Sequence, residues 1–368
     1  MTLKRIILIT SFFLVLFLGI YIGESEYFEK SFQSIFINVF IEKELENPLI
    51  YEENILDLIE ISNKNDVENK RNDAVNYIWK MDSIPRESFP NNIETDIIDE
   101  DYENFSNLEQ IDKITIDMKH NVNSIAYHFI PTESNNKIII YVQGHDGGFV
   151  LGKNTIERFL GEGYSVMAFS MPLIGMNNQP IVDTDVGKIV FLSHKYFELV
   201  EEERFSPLIY FFEPINASLN YLDKEYDYDE INAIGISGGG WTVTLYSAMD
   251  ERVSKTFSVA GGVPFFMRGS EKNIGDYEQR INEFYDKVNY LEFYIMSSLG
   301  QERKYVQIFN KFDPCCFSGD KFYMYDEIVK KKIKDIGDGY FYIYIDEKTR
   351  LHEISDFSLE KISIELEN

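Results

Sequence analysis

The stretch that decides the fold is Ile231-Asn-Ala-Ile-Gly-Ile-Ser-Gly-Gly-Gly-Trp241, in which an apolar run enters a cluster of glycines with one serine at its centre. The apolar run predicts a buried strand and the small residues predict a very tight turn. Residues 241–249 contain neither Gly nor Pro and predict a helix. The stretch therefore predicts a strand, a turn and a helix, with Ser237 at the turn.

Gly235-Ile-Ser-Gly-Gly239 fits the motif G-x-S-x-G, in which small neighbours let the chain turn sharply and leave the serine hydroxyl exposed at the sheet edge. A negative charge that develops beside Ser237 would meet free backbone N–H groups and the positive end of the helix dipole. The alternative is a glycine-rich turn that contains a serine by chance, because short motifs recur in unrelated sequences.

Apolar segments alternate with helical segments along the rest of the chain. Near-continuous apolar strands of this kind predict a mainly parallel sheet that is covered by helices on both faces. In such sheets ligands bind at the carboxyl ends of the strands. The predicted strands are residues 114–118, 124–130, 137–142, 165–170, 231–236, 253–260, 306–309 and 341–345.

Two polar residues follow the last two predicted strands. Asp313 lies in the loop after residues 306–309, and His352 lies shortly after the final strand. Asp320 lies in the same loop as Asp313 and is the reserve candidate for the acid. With Ser237, these residues give the chain order Ser, Asp, His, and this order together with the serine motif resembles the α/β-hydrolase family.

The resemblance covers roughly residues 112–368 and implies an α/β-hydrolase fold, with a mainly parallel central sheet and insertions that form a cap. It implies that Ser237 is the nucleophile that attacks a carbonyl carbon. It also implies that His352 takes and returns the serine proton, while Asp313 orients the imidazole. The runs Ser237-Gly-Gly-Gly and Ala248-Met-Asp-Glu-Arg-Val253 are similar to the acetyl-xylan-esterase-like and dienelactone-hydrolase-like branches of the family.

The family also has an oxyanion donor directly after its third strand, where this sequence reads Gln143-Gly-His-Asp-Gly-Gly148. Gln143 stands where histidine is usual in the family. The resemblance therefore implies that the backbone N–H groups of His145 and Gly238 form the oxyanion hole.

Two long insertions, residues 171–230 and 261–304, are expected to overhang the serine and select the substrate. In the second insertion Phe265 and Phe266 could wall a pocket, and Arg268 could pair with a carboxylate or phosphate of the substrate. The alternative is that Phe265 and Phe266 simply pack in the core and that Arg268 lies on the surface.

We expect a serine hydrolase that cleaves a small-molecule or saccharide carboxylic ester and needs no cofactor and no metal ion. A peptidase or an acyltransferase would use the same triad, and a hydrolase-like binding protein without turnover is a further alternative. Gly147-x-x-x-x-Gly152-Lys153-Asn154 also nearly matches a phosphate-binding P-loop. Asn154 departs from that pattern, because Ser or Thr there would coordinate the magnesium ion.

The net charge of −27, from 35 Lys and Arg against 62 Asp and Glu, argues against a nucleic-acid partner and against docking on an anionic membrane surface. The two cysteines, Cys315 and Cys316, are adjacent and make no disulfide framework or zinc site. We expect them to be free thiols rather than a vicinal disulfide.

Lys4 and Arg5 precede residues 6–22, an uncharged run dominated by Ile, Leu and Phe. At about 1.5 Å per residue, a helix of this length reaches the short end of a bilayer span. We expect residues 1–25 to be an uncleaved transmembrane signal anchor, with a cytoplasmic N-terminus and an extracytoplasmic catalytic domain. The alternative is a secreted protein whose signal is cleaved. Residues 26–111 are expected to form a connecting helical subdomain.

Overall fold

A twisted sheet forms the centre of the computed structural model, which describes residues 55–268 and 273–368. Within these residues all strands except β6 and β7 join one nine-stranded sheet. The strands are, in chain order, β1 (Asn92–Glu94), β2 (Leu108–Asp117), β3 (Asn123–Pro131), β4 (Lys137–Val142), β5 (Ser165–Phe169), β6 (Ile181–Thr184), β7 (Gly187–Val190), β8 (Glu230–Ile236), β9 (Val253–Val259), β10 (Lys304–Asn310) and β11 (Tyr340–Asp346).

The strand order across the sheet is β1-β2-β3-β5-β4-β8-β9-β10-β11. The strands from β5 to β11 in this order run parallel, whereas β1, β2 and β3 pair antiparallel to their neighbours. Asn310 of β10 pairs with Asp346 of β11, so these two strands end at the same level. The loops that follow the parallel strands therefore meet at one edge of the sheet.

Eight α-helices connect or flank the strands in the described part of the chain. Helix α4 is buried along its whole length because it packs against β8 and β9 and against α6. The predicted α/β architecture, with a mainly parallel sheet and flanking helices, is confirmed. The helices are α1 (Lys64–Trp79), α2 (Lys153–Gly161), α3 (Ile209–Glu225), α4 (Gly238–Met249), α5 (Asn282–Tyr285), α6 (Tyr290–Ser298), α7 (Asp326–Ile336) and α8 (Asp356–Glu367).

The main hydrophobic core lies between the sheet and helices α2 and α8. Phe159 of α2 and Ile362 of α8 are fully buried there against Ile139, Ile234 and Ile308 of the parallel strands. β-Branched residues favour such two-sided burial because they fit a pleated surface. The apolar runs that predicted the strands are thus the residues that form this core.

Two further features concern strands outside the parallel part of the central sheet. Strand β2 continues across residue 111, the predicted boundary between the connecting subdomain and the hydrolase domain. Residues 181–190 form a hairpin in which β6 and β7 pair antiparallel, as a two-stranded sheet of their own.

No helix in residues 55–268 or 273–368 is both long and apolar enough to cross a membrane. The predicted anchor, residues 1–25, lies outside the described residues.

Candidate active site

Ser237 lies at the turn between β8 and α4, as predicted. Its backbone has φ 55° and ψ −124°, a strained combination for a residue with a side chain. The Ser237 N–H donates to the carbonyl oxygen of Val259 at 2.8 Å, which ties the turn to the end of β9. This conformation is the one that a nucleophile elbow requires.

Glycines allow the backbone to close tightly around Ser237. A Cβ added at Gly239 would lie 2.0 Å from the carbonyl oxygen of Val142, and one added at Gly144 would lie 2.8 Å from the Cβ of Ser237. No side chain fits at either position without a shift of the backbone. The loop after β4 therefore lies directly against Ser237, and the start of α4 lies directly against the end of β4.

The structure brings together the predicted acid and the predicted base. His352 Nδ1 lies 2.6 Å from Asp313 Oδ2, and both side chains are almost completely buried. The other oxygen, Asp313 Oδ1, accepts the backbone N–H groups of Cys315 at 2.8 Å and Cys316 at 3.3 Å. The reserve acid, Asp320, has no contact with the histidine in the described structure.

Asn310, at the end of β10, fixes the segment that carries the histidine. Its buried amide group donates to the carbonyl oxygens of Glu353 at 2.9 Å and Leu351 at 3.4 Å, the residues on either side of His352. The sequence did not predict this role. The one available signal was the placement of a polar residue at the carboxyl end of a buried strand.

The described structure contains no hydrogen bond between the Ser237 hydroxyl and His352. Such bonds are often long in the absence of substrate and tighten in the reacting complex. The link between the serine and the Asp313–His352 pair stays a prediction, although all three residues follow strands that end at the same edge of the sheet.

Both predicted oxyanion donors have backbone N–H groups that lack an acceptor among residues 55–268 and 273–368. Gly238 is the first residue of α4, where a helix offers N–H groups without intrahelical acceptors. In the described structure the N–H of His145 has no acceptor either. The His145 ring covers Gly238, because a Cβ added at Gly238 would lie 2.2 Å from His145 Cε1.

The fold is similar to solved structures of esterases. The acetyl xylan esterase 1 of a Thermoanaerobacterium species matches with a TM-score of 0.54 and 14% identity, over 86% of this chain and 99% of that chain. A glucuronoyl esterase of Solibacter usitatus matches with a TM-score of 0.53 and 11% identity, over 83% of this chain and 91% of that chain. An acetyl xylan esterase of a Paenibacillus species matches with a TM-score of 0.52 and 12% identity, over 85% of this chain and 97% of that chain. The chain has the α/β-hydrolase fold. No family model and no curated protein matches the sequence.

The His145 ring, beside this elbow of the α/β-hydrolase fold, contacts charged and polar groups from the insertions. Its Nε2 lies 2.8 Å from Glu278 Oε1, 3.2 Å from His194 Nδ1 and 3.3 Å from Asp276 Oδ2. Burial lowers the pKa of His145, but the negative charge of Glu278 outweighs it and raises the pKa to about 9. Burial also raises the pKa of Glu278, yet the two histidines hold it well below its usual range. The sequence predicted no role for Glu278.

An open cleft of about 590 Å³ adjoins His145. Its other walls come from the first insertion, so this insertion borders the predicted oxyanion loop. The lining residues from the insertion are Leu173, Ile174, Gly175, Asn177, Gln179 and Leu192.

The predicted substrate contacts in the second insertion are largely enclosed. Arg268 is 2% exposed, so the alternative of a surface arginine is wrong. It donates to the carbonyl oxygens of Val263 at 2.8 Å and Gln279 at 3.0 Å, and its guanidinium lies 4.8 Å from the Phe265 ring. Phe266 is buried as well. Substrate binding by Phe265, Phe266 and Arg268 stays a prediction.

The segment that resembles a P-loop is partly buried and partly exposed, since Phe149 and Gly152 are buried whereas Leu151 is 61% exposed. Lys153 Nζ lies 2.6 Å from Asp101 Oδ1, and the N–H of Phe149 donates to Ser170 Oγ at 3.0 Å. Both groups thus have protein partners in the described structure.

Cys315 and Cys316 are joined by a disulfide, so the expectation of free thiols is wrong. The backbone N–H groups of both cysteines donate to Asp313 Oδ1, so the disulfide lies in the loop that holds the predicted acid.

Proposed function

We propose that the protein is a serine hydrolase that cleaves carboxylic esters through an acyl-enzyme on Ser237. The observation that carries the proposal is the 2.6 Å contact between His352 Nδ1 and Asp313 Oδ2, on the sheet edge that also presents Ser237 in its strained turn. The similarity in fold to proteins named as acetyl xylan esterases and a glucuronoyl esterase supports the same reaction class.

In the proposed mechanism, Asp313 accepts the hydrogen of His352 Nδ1, which leaves the lone pair of Nε2 free. Nε2 takes the proton of Ser237 as Oγ attacks the ester carbonyl carbon. The N–H groups of Gly238 and His145 stabilise the oxyanion. His352 then gives the proton to the departing alkoxide, which leaves as an alcohol. Water hydrolyses the acyl-enzyme by the same steps and releases the acid.

The proposed substrates are small-molecule or saccharide esters. Acetyl xylan and glucuronoyl esters are the substrates that the names of the similar proteins state. The open cleft beside His145 offers room for a group that is larger than the acyl part alone. Peptidases and acyltransferases use the same triad, so a comparison of ester, amide and acceptor alcohol as reactants would separate the three activities.

A fluorophosphonate probe tests the proposal, because it forms a covalent bond only with an activated serine. We expect the purified full-length protein to be labelled at Ser237, with the adduct located by mass spectrometry. Ser237→Ala should abolish labelling, whereas the matched control Ser134→Ala, at an exposed loop position, should retain it. A folded protein that is not labelled would favour the alternative of a binding protein without turnover.

We also propose that residues 1–25 anchor the protein in a membrane, with the catalytic domain on the extracytoplasmic side. The support is the sequence itself, in which Lys4 and Arg5 precede an uncharged apolar run. Secretion after signal cleavage is the alternative.

A further inference from the structure

A second cluster of potential ligands lies beside the candidate active site. The 145–194–278 cluster consists of His145, His194 and Glu278, and its donor atoms all lie within 4.8 Å of one another. His145 Nε2 is 2.8 Å from Glu278 Oε1 and 3.2 Å from His194 Nδ1, and His194 Nδ1 is 3.2 Å from Glu278 Oε2. His194 and Glu278 are buried, and none of the three residues belongs to the proposed triad.

The hydrogen positions in this cluster leave lone pairs that face one another. His194 Nε2 donates to the carbonyl oxygen of Pro172 at 2.8 Å, so a neutral His194 carries its hydrogen there and has a lone pair on Nδ1. That lone pair faces Glu278 Oε2, a buried oxygen that accepts no hydrogen bond. A hydrogen on His145 Nε2 faces Glu278 Oε1 at 2.8 Å and His194 Nδ1 at 3.2 Å, but it does not reach Glu278 Oε2, which has no donor in the described structure.

One cation among the three donor atoms accounts for both unpaired sites. It accepts the lone pair of His194 Nδ1 and that of Glu278 Oε2 at once, and the donor atoms of all three residues lie within 4.8 Å of one another. The two imidazole rings, whose centroids are 4.9 Å apart, stand on either side of such a position.

The geometry points to a divalent-cation site of the zinc type at the 145–194–278 cluster. Two imidazoles and a carboxylate are a common zinc donor set, and donors about 2.0–2.1 Å from a tetrahedral ion lie about 3.3 Å apart. The observed separations of 2.8–3.2 Å are close to this value. The carbonyl oxygen of Pro172 accepts from the far nitrogen of His194, as the outer partners of zinc-bound histidines do. Asp276 Oδ2, 3.3 Å from His145 Nε2, offers a further ligand.

The three ligands come from separate parts of the chain. His145 lies in the loop after β4, His194 in the first insertion and Glu278 in the second. An ion at this position would link both insertions to the loop that covers Gly238. Its role would be to position the oxyanion loop rather than to contact the reacting atoms, and this last point rests on the proposed function. The binding of the ion itself does not depend on the proposed function.

Metal titration of the full-length protein tests the site. The protein is first treated with a chelator and then titrated with each ion separately. We expect calorimetry to show binding of one equivalent of Zn²⁺. With Co²⁺ in its place, we expect one equivalent to bind and to give the visible absorption bands of a four-coordinate site with nitrogen and oxygen ligands. Glu278→Gln and His194→Asn should each lower the affinity by about 100-fold or more. His120→Asn is the matched control, because it removes a half-buried histidine elsewhere and Asn tolerates the local φ of 62°. It should bind as the wild type does.

Several outcomes would overturn the site. Binding that survives both ligand variants, or that is lost in His352→Ala instead, would place the ion elsewhere, since His352 also lies close to Cys315 and Cys316. Wild-type protein that binds neither ion, and whose Tm does not rise with Zn²⁺, would overturn the metal site outright. The wild-type titration needs no variant to fold. Fluorophosphonate labelling of Ser237 is scored separately, so failure of the metal site and failure of the proposed function are distinguishable.

Discussion

Replacement of Asp313 by Asn tests the predicted acid with almost no change in side-chain shape. Asp313 Oδ1 accepts the N–H groups of Cys315 and Cys316, so the single carbonyl oxygen of Asn would be held at that position. The NH₂ group of Asn would then face His352 Nδ1, which must become an acceptor. The hydrogen of the imidazole moves to Nε2, and the nitrogen that should take the Ser237 proton has no lone pair left.

The expected loss is large because the base is in the wrong tautomer. The same exchange in a Ser-His-Asp triad of another fold lowers kcat by about 10⁴. We expect kcat/KM of Asp313→Asn for p-nitrophenyl acetate to fall by about 10³–10⁴, which corresponds to about 4–5 kcal/mol of transition-state stabilisation. The Tm should change little, because both backbone hydrogen bonds to Oδ1 are kept.

The matched control is Asp320→Asn, in the same loop, where the carboxylate lies 3.5 Å from Lys311 Nζ and is mostly exposed. We expect this variant to keep wild-type kcat/KM. The tautomer argument would be refuted if Asp313→Asn kept more than about a tenth of the activity, or if Asp320→Asn lost as much as Asp313→Asn did.

Three further changes test the packing, the electrostatics and the anchor. Gly144→Ala should destabilise the fold by about 1–3 kcal/mol and lower kcat/KM, since the new Cβ would lie 2.8 Å from Ser237 Cβ; denaturant unfolding and ester hydrolysis would measure the two effects. Burial raises the pKa of Asp250, but the hydrogen bonds and positive charge of Arg252 outweigh burial, so the pKa lies below its usual value. The stability that this carboxylate contributes is therefore fully present above about pH 4, and it is lost as the pH falls through the pKa of the folded state. Asp250→Asn should therefore cost about 3 kcal/mol at pH 7 and flatten the fall of Tm in acid; a Tm profile parallel to that of the wild type would contradict this. Removal of residues 1–25 should move the protein from the membrane pellet to the supernatant, and a truncated form that still sediments would argue against the anchor.

The parts of the fold that the sequence predicted are those that depend on local patterns. Strand β4 was predicted at its observed bounds, Lys137–Val142, because an apolar run flanked by polar residues specifies a buried strand. The contact between Asp313 and His352 followed from topology. Each residue comes after one of two adjacent parallel strands, and such strands end at the same edge of the sheet.

The parts that sequence reasoning missed depend on contacts between distant segments. His145 is separated by 49 residues from His194 and by 133 from Glu278, and no periodicity or motif relates the three. Strand β1 has only three residues, Asn92–Glu94, and gives no alternating pattern to detect. The disulfide was weighed only as the alternative to free thiols, because the adjacency of Cys315 and Cys316 in the sequence does not by itself indicate that they are joined.

The strained turn at Ser237 also has a consequence for biosynthesis. The turn is held by the carbonyl oxygen of Val259, by the close approach of Gly144 and by the packing of Gly239 on Val142, all contributed by different strands or loops. A nascent or half-assembled chain lacks these restraints, so its serine relaxes to an ordinary backbone conformation with ordinary reactivity. The proposed nucleophile would in this sense form late in folding, and the fraction of molecules that a serine probe labels would then measure the native fraction of a preparation.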